Sequence, residues 1–149
     1  VVDISLTGGV RGQLGLGLNY DLSASYGRNK IGYRMTSTMN PSLGLTTPTS
    51  FYMGSLQQEE TNFNADFSYD FDLGMASPLT LAFGGEHRRE AYQIGLGDPA
   101  SYQIGPFGSQ VVQRADGTRF QVTKQLGSNG FPGYGPDSTV DQARRSYAL

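Results

Sequence analysis

Few side chains in this 149-residue chain are of a type and spacing to do chemistry. There is one histidine, His87, and no cysteine, which excludes multi-histidine and thiolate metal centres and any cysteine nucleophile. Asp66, Asp70 and Asp72 carry the oxygens that calcium takes, but on a strand rising about 3.4 Å per residue they spread too far for one compact site. Gly95-Leu96-Gly97-Asp98-Pro99-Ala100 superficially matches a dinucleotide fingerprint. No helix is expected after it, so a phosphate would meet no helix N-terminus, and the match is read as chance. No serine, histidine and acid fall at a hydrolase spacing. The chain is therefore read as no enzyme, with no cofactor and no metal. What remains is alternating charge: Glu86, Arg88 and Glu90, together with Arg28 beside Asn29 and Lys30. These either line a solute path or pair with neighbouring strands.

The elements that position those charges are legible as strict alternation. Leu16, Leu18, Tyr20, Leu22, Ala24 and Tyr26 share one parity, against Gly17, Asn19, Asp21, Ser23 and Ser25 on the other. Phe63, Ala65, Phe67, Tyr69 and Phe71 alternate with Asn64, Asp66, Ser68 and Asp70. A helix would also stack Phe63, Phe67 and Phe71, but it would throw Ala65 and Tyr69 about 200° and 240° around its axis. Only a strand gathers all five on one face. A third run follows Pro78, with Leu79, Leu81, Phe83, Gly85 and His87 against Thr80, Ala82, Gly84, Glu86, Arg88 and Glu90. A weaker run opens the chain (Val2, Ile4, Leu6, Val10), and a fifth starts near Arg144. With 21 glycines and 7 prolines the composition also disfavours helical bundles.

Connections alternate between tight and long. Tight turns are expected at residues 12–15 and 73–78, and long outer loops at about 38–55 and 96–140. Within the second loop, residues 111–122 read as a small hairpin, with Asp116-Gly117 supplying a type I′ turn. Soluble strands most often have five or six residues, whereas a tilted strand crossing a bilayer needs about 9 to 11. Long strands, tight turns at one rim and long loops at the other are the asymmetry of outer-membrane barrels. The fold class expected is all-β: an antiparallel transmembrane β-barrel segment of four to five strands, with residues 1–149 forming part of one barrel domain. Open edges cannot sit in hydrocarbon, so the chain reads as an excerpt of a larger barrel.

Several pieces of wording resemble a family, the TonB-dependent outer-membrane receptors. They are residues 21–29 (Asp-Leu-Ser-Ala-Ser-Tyr-Gly-Arg-Asn), Asn40-Pro41-Ser42-Leu43-Gly44 followed by Pro48-Thr49-Ser50-Phe51, residues 82–90 (Ala-Phe-Gly-Gly-Glu-His-Arg-Arg-Glu), and Gly130-Phe131-Pro132-Gly133. Together they span most of the chain. The resemblance implies a barrel of about 22 strands blocked by an N-terminal plug. The plug and its TonB-contacting box are not in these residues. His87 stands where this family would carry tyrosine, which weakens the aromatic girdle there.

The function so implied is active transport in the bacterial outer membrane, of a scarce small-molecule nutrient such as an iron chelate or an oligosaccharide. The partners implied are membrane lipid and, through the plug, the TonB complex. Nucleic acid is not expected as a partner, since the net charge is −2. Rigid strands carry adaptable loops, so ligand contact is expected from the loops. The loop candidates are Phe51, Tyr52, Tyr102, Phe107, Phe131 and Tyr134, with Arg114, Arg119 and Lys124 if the ligand is anionic. Packing of these aromatics on one another is the competing reading. Two rival functions remain: a small structural or adhesin barrel, and a soluble β-sandwich binding module.

Overall fold

Runs that alternate apolar and polar residues become extended strands, because successive side chains of a strand point to opposite faces. In the computed structural model, which describes residues 1–149 apart from the side chain of Leu16, these runs lengthen well beyond the periodic stretches. The strands are β1 (Val2–Leu14), β2 (Leu18–Thr36), β3 (Ser50–Phe71), β4 (Leu79–Gly95), β5 (Ser109–Gln113), β6 (Arg119–Thr123) and β7 (Val140–Ala148). One helical turn, α1 (Pro99–Tyr102), and short 3-10 turns at Gly15–Gly17, Pro41–Thr46 and Pro136–Ser138 complete the chain. The order β1-β2-β3-β4-β7 makes one antiparallel sheet, with β1 and β7 at its edges, and β5-β6 pair separately. The fold is all-β, and no closed barrel is formed. The expected apolar row on β2 begins with Leu16, whose side chain lies outside the described residues.

The chain divides into two compact units. The strand unit comprises Val2–Asn29, Gln58–Tyr92 and Gln142–Leu149. Its odd-numbered residues on β3, β4 and β7 meet across strands: Phe67 stacks on Phe83 at 5.4 Å, Phe63 on His87 at 6.2 Å, and His87 meets Tyr147 at 4.9 Å between centroids. Even-numbered residues meet on the other face, where the Thr80 hydroxyl donates to Asp70 at 2.5 Å. The alternation read from the sequence is therefore the arrangement in the sheet. On the apolar face of this unit Leu79, Leu81, Phe83 and Phe63 are all 52–54% exposed.

The loop unit comprises Val1, Lys30–Gln57 and Gln93–Asp141. Its core is small, with Phe51 and Met53 as the large apolar side chains that are fully buried. The rest is held by buried polar groups, as loops require when no ladder satisfies their peptide groups.

Several boundaries differ from the sequence reading. The first turn sits at Gly15–Gly17, with Gly17 at φ +84, because Gly12 lies inside β1. The ring of Tyr20 covers Gly12 so closely that an added Cβ would sit 2.8 Å from its hydroxyl. Residues 50–55 belong to β3 and not to the loop that precedes it, and β7 starts at Val140. The β5-β6 turn is not type I′, which would need positive φ at two central residues; Gly117 has φ +84 and Asp116 does not. Instead Gly117 N–H donates to Arg114 C=O at 3.0 Å and Arg114 N–H to Thr118 C=O at 2.8 Å, a longer turn closed by a left-handed glycine. Finally, a helical turn does follow Gly95–Asp98, since Pro99 stands at its first position.

Candidate functional site

Glycine, asparagine and serine build the loop unit. Asn40 is fully buried, and its amide nitrogen donates to the carbonyls of Ala100 (2.9 Å) and Gln103 (2.8 Å). Its Oδ1 accepts from the Ser42 N–H (3.0 Å) and hydroxyl (2.6 Å). The Ser42 hydroxyl oxygen in turn accepts from Gly105 N–H at 2.8 Å, and its carbonyl from Phe107 N–H at 2.9 Å. One asparagine therefore ties residues 40–42 to residues 100–107. A second knot centres on buried Ser101, whose carbonyl accepts from Ser128 N–H (2.9 Å) and Gly133 N–H (3.1 Å). Gly133 lies so near the Ser101 hydroxyl that no Cβ would fit there.

The strand is tied in as well. Asp98 accepts from Tyr52 N–H at 2.7 Å through its carboxylate and donates its own N–H to Tyr52 C=O at 2.7 Å. Gly97 N–H donates to Tyr134 C=O (2.9 Å), and Tyr134 N–H to Met53 C=O (2.8 Å). The stretch that imitates a dinucleotide fingerprint is thus a backbone clasp. Its glycine allows close approach, for an added Cβ on Gly97 would sit 2.8 Å from the Met53 carbonyl. A helix of one turn adds no anion site.

On this frame the loop candidates separate. Phe51 requires correction as a ligand contact: it is 1% exposed and forms the core that the loops pack on. Tyr52 and Tyr102 are half-buried, the former beside Gly32 and the latter beside Gly127 and Gly135. Phe107 lies over Gly44, and Lys124, whose ammonium donates to Pro41 C=O at 3.1 Å, stands 6.0 Å from its centroid. Arg114 lies 4.8 Å over Phe120 on the hairpin, with Arg119 exposed nearby in sequence.

Phe131 and Tyr134 do come together, edge to face at 5.7 Å, and Tyr33 joins them at 6.5 Å from Tyr134. Phe131 and Tyr33 remain 41% and 37% exposed. This trio, with Met35 reaching within 3.3 Å of the Cβ position on Gly130, is an exposed aromatic platform held by a fixed backbone. Its chemistry is aromatic stacking. Sequence reading missed Tyr33 because it lay past the end assigned to its strand.

The strand unit carries the charged candidates. Arg88 lies 2.9 Å from Glu86 and 3.8 Å from Glu60, and Arg144 lies 2.5 Å from Glu90. Glu86, Arg88 and Glu90 all lie on β4, and their pairing reaches β3 through Glu60 and β7 through Arg144, two partners found only in the structure. Arg28 is apart from it: it lies 3.4 Å from Glu59, whose odd parity continues the Phe63 side of β3. His87 sits in the aromatic row between Phe63 and Tyr147. Among the described residues no group of three or more acidic, histidine or cysteine side chains is gathered for a metal ion.

The chain matches no protein-family model, no curated protein and no solved structure.

Proposed function

We infer that this chain is a segment of an outer-membrane receptor of the TonB-dependent kind, which takes up a scarce nutrient through a plugged β-barrel. The observation that carries the reading is the sheet itself. Its central strands have 19, 22 and 17 residues, against the about 9 to 11 needed to cross a bilayer. One face carries half-exposed apolar side chains, among them Leu79, Leu81, Phe83 and Phe63, while the other carries paired charge. Lipid on the first face and a polar lumen on the second account for both. The clasped loops then serve as a fixed receptor surface, and the Tyr33–Tyr134–Phe131 platform is the favoured point of contact for an iron chelate or an oligosaccharide. Import would draw on energy relayed to a plug outside these residues.

The deciding experiment is a blot of fractionated source cells with an antibody raised against residues 105–129. A band several times heavier than 16.1 kDa in the outer-membrane fraction is expected. A soluble band of any size would overturn the membrane reading. A membrane band near 16 kDa would overturn the receptor in favour of a small structural barrel.

A further inference from the structure

Asparagine is chemically labile, and most so where glycine follows it. The peptide nitrogen after the asparagine can close on the side-chain amide carbon, and only glycine brings no Cβ to obstruct that approach. Asn19, Asn29, Asn62 and Asn64 lie within β2 and β3, each ahead of a residue with a side chain, and Asn40 precedes Pro41, which has no N–H to lose. Asn129 alone precedes a glycine.

Asn129 is exposed in the irregular segment between β6 and β7, and Gly130 holds φ +98. The main chain there is nonetheless tied down. Asn129 N–H donates to Met39 C=O at 2.7 Å, and Asn129 C=O accepts from the Thr38 hydroxyl at 2.9 Å. The second bond bears on the chemistry. The Asn129 carbonyl and the Gly130 nitrogen belong to one conjugated peptide group, so when Gly130 N–H loses its proton the charge spreads to that oxygen. A hydroxyl donating there stabilises the anion more than the neutral amide, as donors aimed at a developing oxyanion do.

We propose that Asn129–Gly130 is a deamidation site whose reaction the Thr38 hydroxyl promotes. Hydroxide takes the Gly130 amide proton, and the nitrogen attacks Asn129 Cγ. A C–N bond forms there, and the side-chain nitrogen leaves as ammonia with a proton from water, which restores the hydroxide. Water then opens the cyclic imide at either carbonyl, leaving aspartate or isoaspartate at residue 129. The reaction consumes only water and is the same whether the strand unit meets lipid or solvent. Its products fall on the segment that carries the aromatic platform. The Ser128 hydroxyl donates to Phe131 C=O at 2.6 Å, closing a short loop through Asn129 and Gly130. Isoaspartate adds a methylene to the main chain inside that loop, and either product sets a carboxylate two residues before Phe131.

The test incubates the purified, folded protein at mildly alkaline pH and physiological temperature. Trypsin then releases residues 125–144, and mass spectrometry with electron-transfer fragmentation separates isoaspartate from aspartate. Residue 129 is expected to convert before the other asparagines, faster as hydroxide rises. Thr38→Val should slow the conversion about five- to tenfold, with strand content by circular dichroism unchanged. Thr38→Ser keeps the hydroxyl and should keep the rate. A synthetic peptide of residues 125–144 lacks Thr38 and should convert no faster than the folded protein. A folded protein slower than the peptide, an equal or faster rate in Thr38→Val, or a Thr38→Ser variant as slow as Thr38→Val would each overturn the promoted site.

Discussion

At the scale of single residues, the stability of the loop unit rests on polar groups that water cannot reach. Asn40 fills four hydrogen-bonding roles with one side chain, so removing it strands two carbonyls, an N–H and a hydroxyl in a buried place. Each such group left without a partner costs about 1–3 kcal/mol. Asn40→Ala is therefore expected to loosen residues 40–42 and 100–107 together. Amide exchange at Gly105 and Phe107, whose N–H groups bond Ser42, should speed up at least about tenfold. Unchanged protection there would show that the knot at Ser101 carries the loops unaided.

Asp116 gives a residue-scale test with a pH axis. Its Oδ1 accepts from the Thr118 hydroxyl at 2.6 Å and from Thr118 N–H at 2.9 Å, and these bonds, the hydroxyl's first, hold the carboxyl below its ordinary value. A carboxylate depressed on folding contributes to order above its unfolded value, near about 3.9, and loses that contribution as pH falls through the lower folded value. The β5-β6 turn should thus be unchanged between neutral pH and about 5, then loosen in the acid range. The Thr118 amide resonance, followed by NMR on titration, should move with a midpoint below that of a free aspartate. A midpoint at or above the ordinary value would remove the bonds from the account.

Among elements, register decides which face of a strand meets which surroundings. Phe67 stacks on Phe83 across β3 and β4, while its neighbour Asp66 turns to the face where Asp70 bonds Thr80. On the proposed membrane reading, Phe67→Arg is expected to cost roughly 2–4 kcal/mol, the range for a cation facing lipid near mid-bilayer, and Asp66→Arg much less. Urea titration of the protein folded in micelles measures both. Equal costs would mean that the apolar row does not face lipid.

That same alternation is why β3, β4 and the first half of β2 could be read without coordinates, and its failure explains what could not. Residues 50–55 hide as a strand because loops cover them: Phe51 and Met53 are buried, and the clasp takes the backbone of Tyr52 and Met53. Gly54, at φ +108, breaks the pleat as well. With both faces shielded, period two has no contrast to display. The charge ladder was half visible, since Glu86, Arg88 and Glu90 share a strand, whereas Glu60 and Arg144 reach it only through pairing of distant segments. The aromatic platform needed a contact between Tyr33 and Tyr134, which no local pattern encodes. Asn40 and Ser42 were noticed as wording; their use as a hub follows only from the loop carbonyls brought to them.

For the whole molecule the governing fact is that five strands stand in an open sheet with β1 and β7 unpaired at its margins. A bare margin offers peptide N–H and C=O groups to any other chain, and a flat, exposed strand edge is a route to aggregation. Here the hazard is doubled by exposed apolar side chains on separate strands of the sheet: Ile4, Leu6 and Val10 on β1 are 41%, 66% and 62% exposed, and Leu79, Leu81 and Phe83 on β4 are 52–54% exposed. Apolar surface exposed on this scale is rarely left to water by a soluble monomer. The 149-residue chain placed alone in aqueous buffer is therefore expected to form large particles at micromolar concentration. In micelles, detergent covers the face but leaves the edges unpaired, so the expected state is dispersed, strand-rich by circular dichroism, and prone to slow edge-to-edge association. Light scattering in the two conditions separates the contributions of face and edge. A monodisperse monomer in plain buffer would show that water tolerates this face, and would move the chain from the membrane to a soluble binding module.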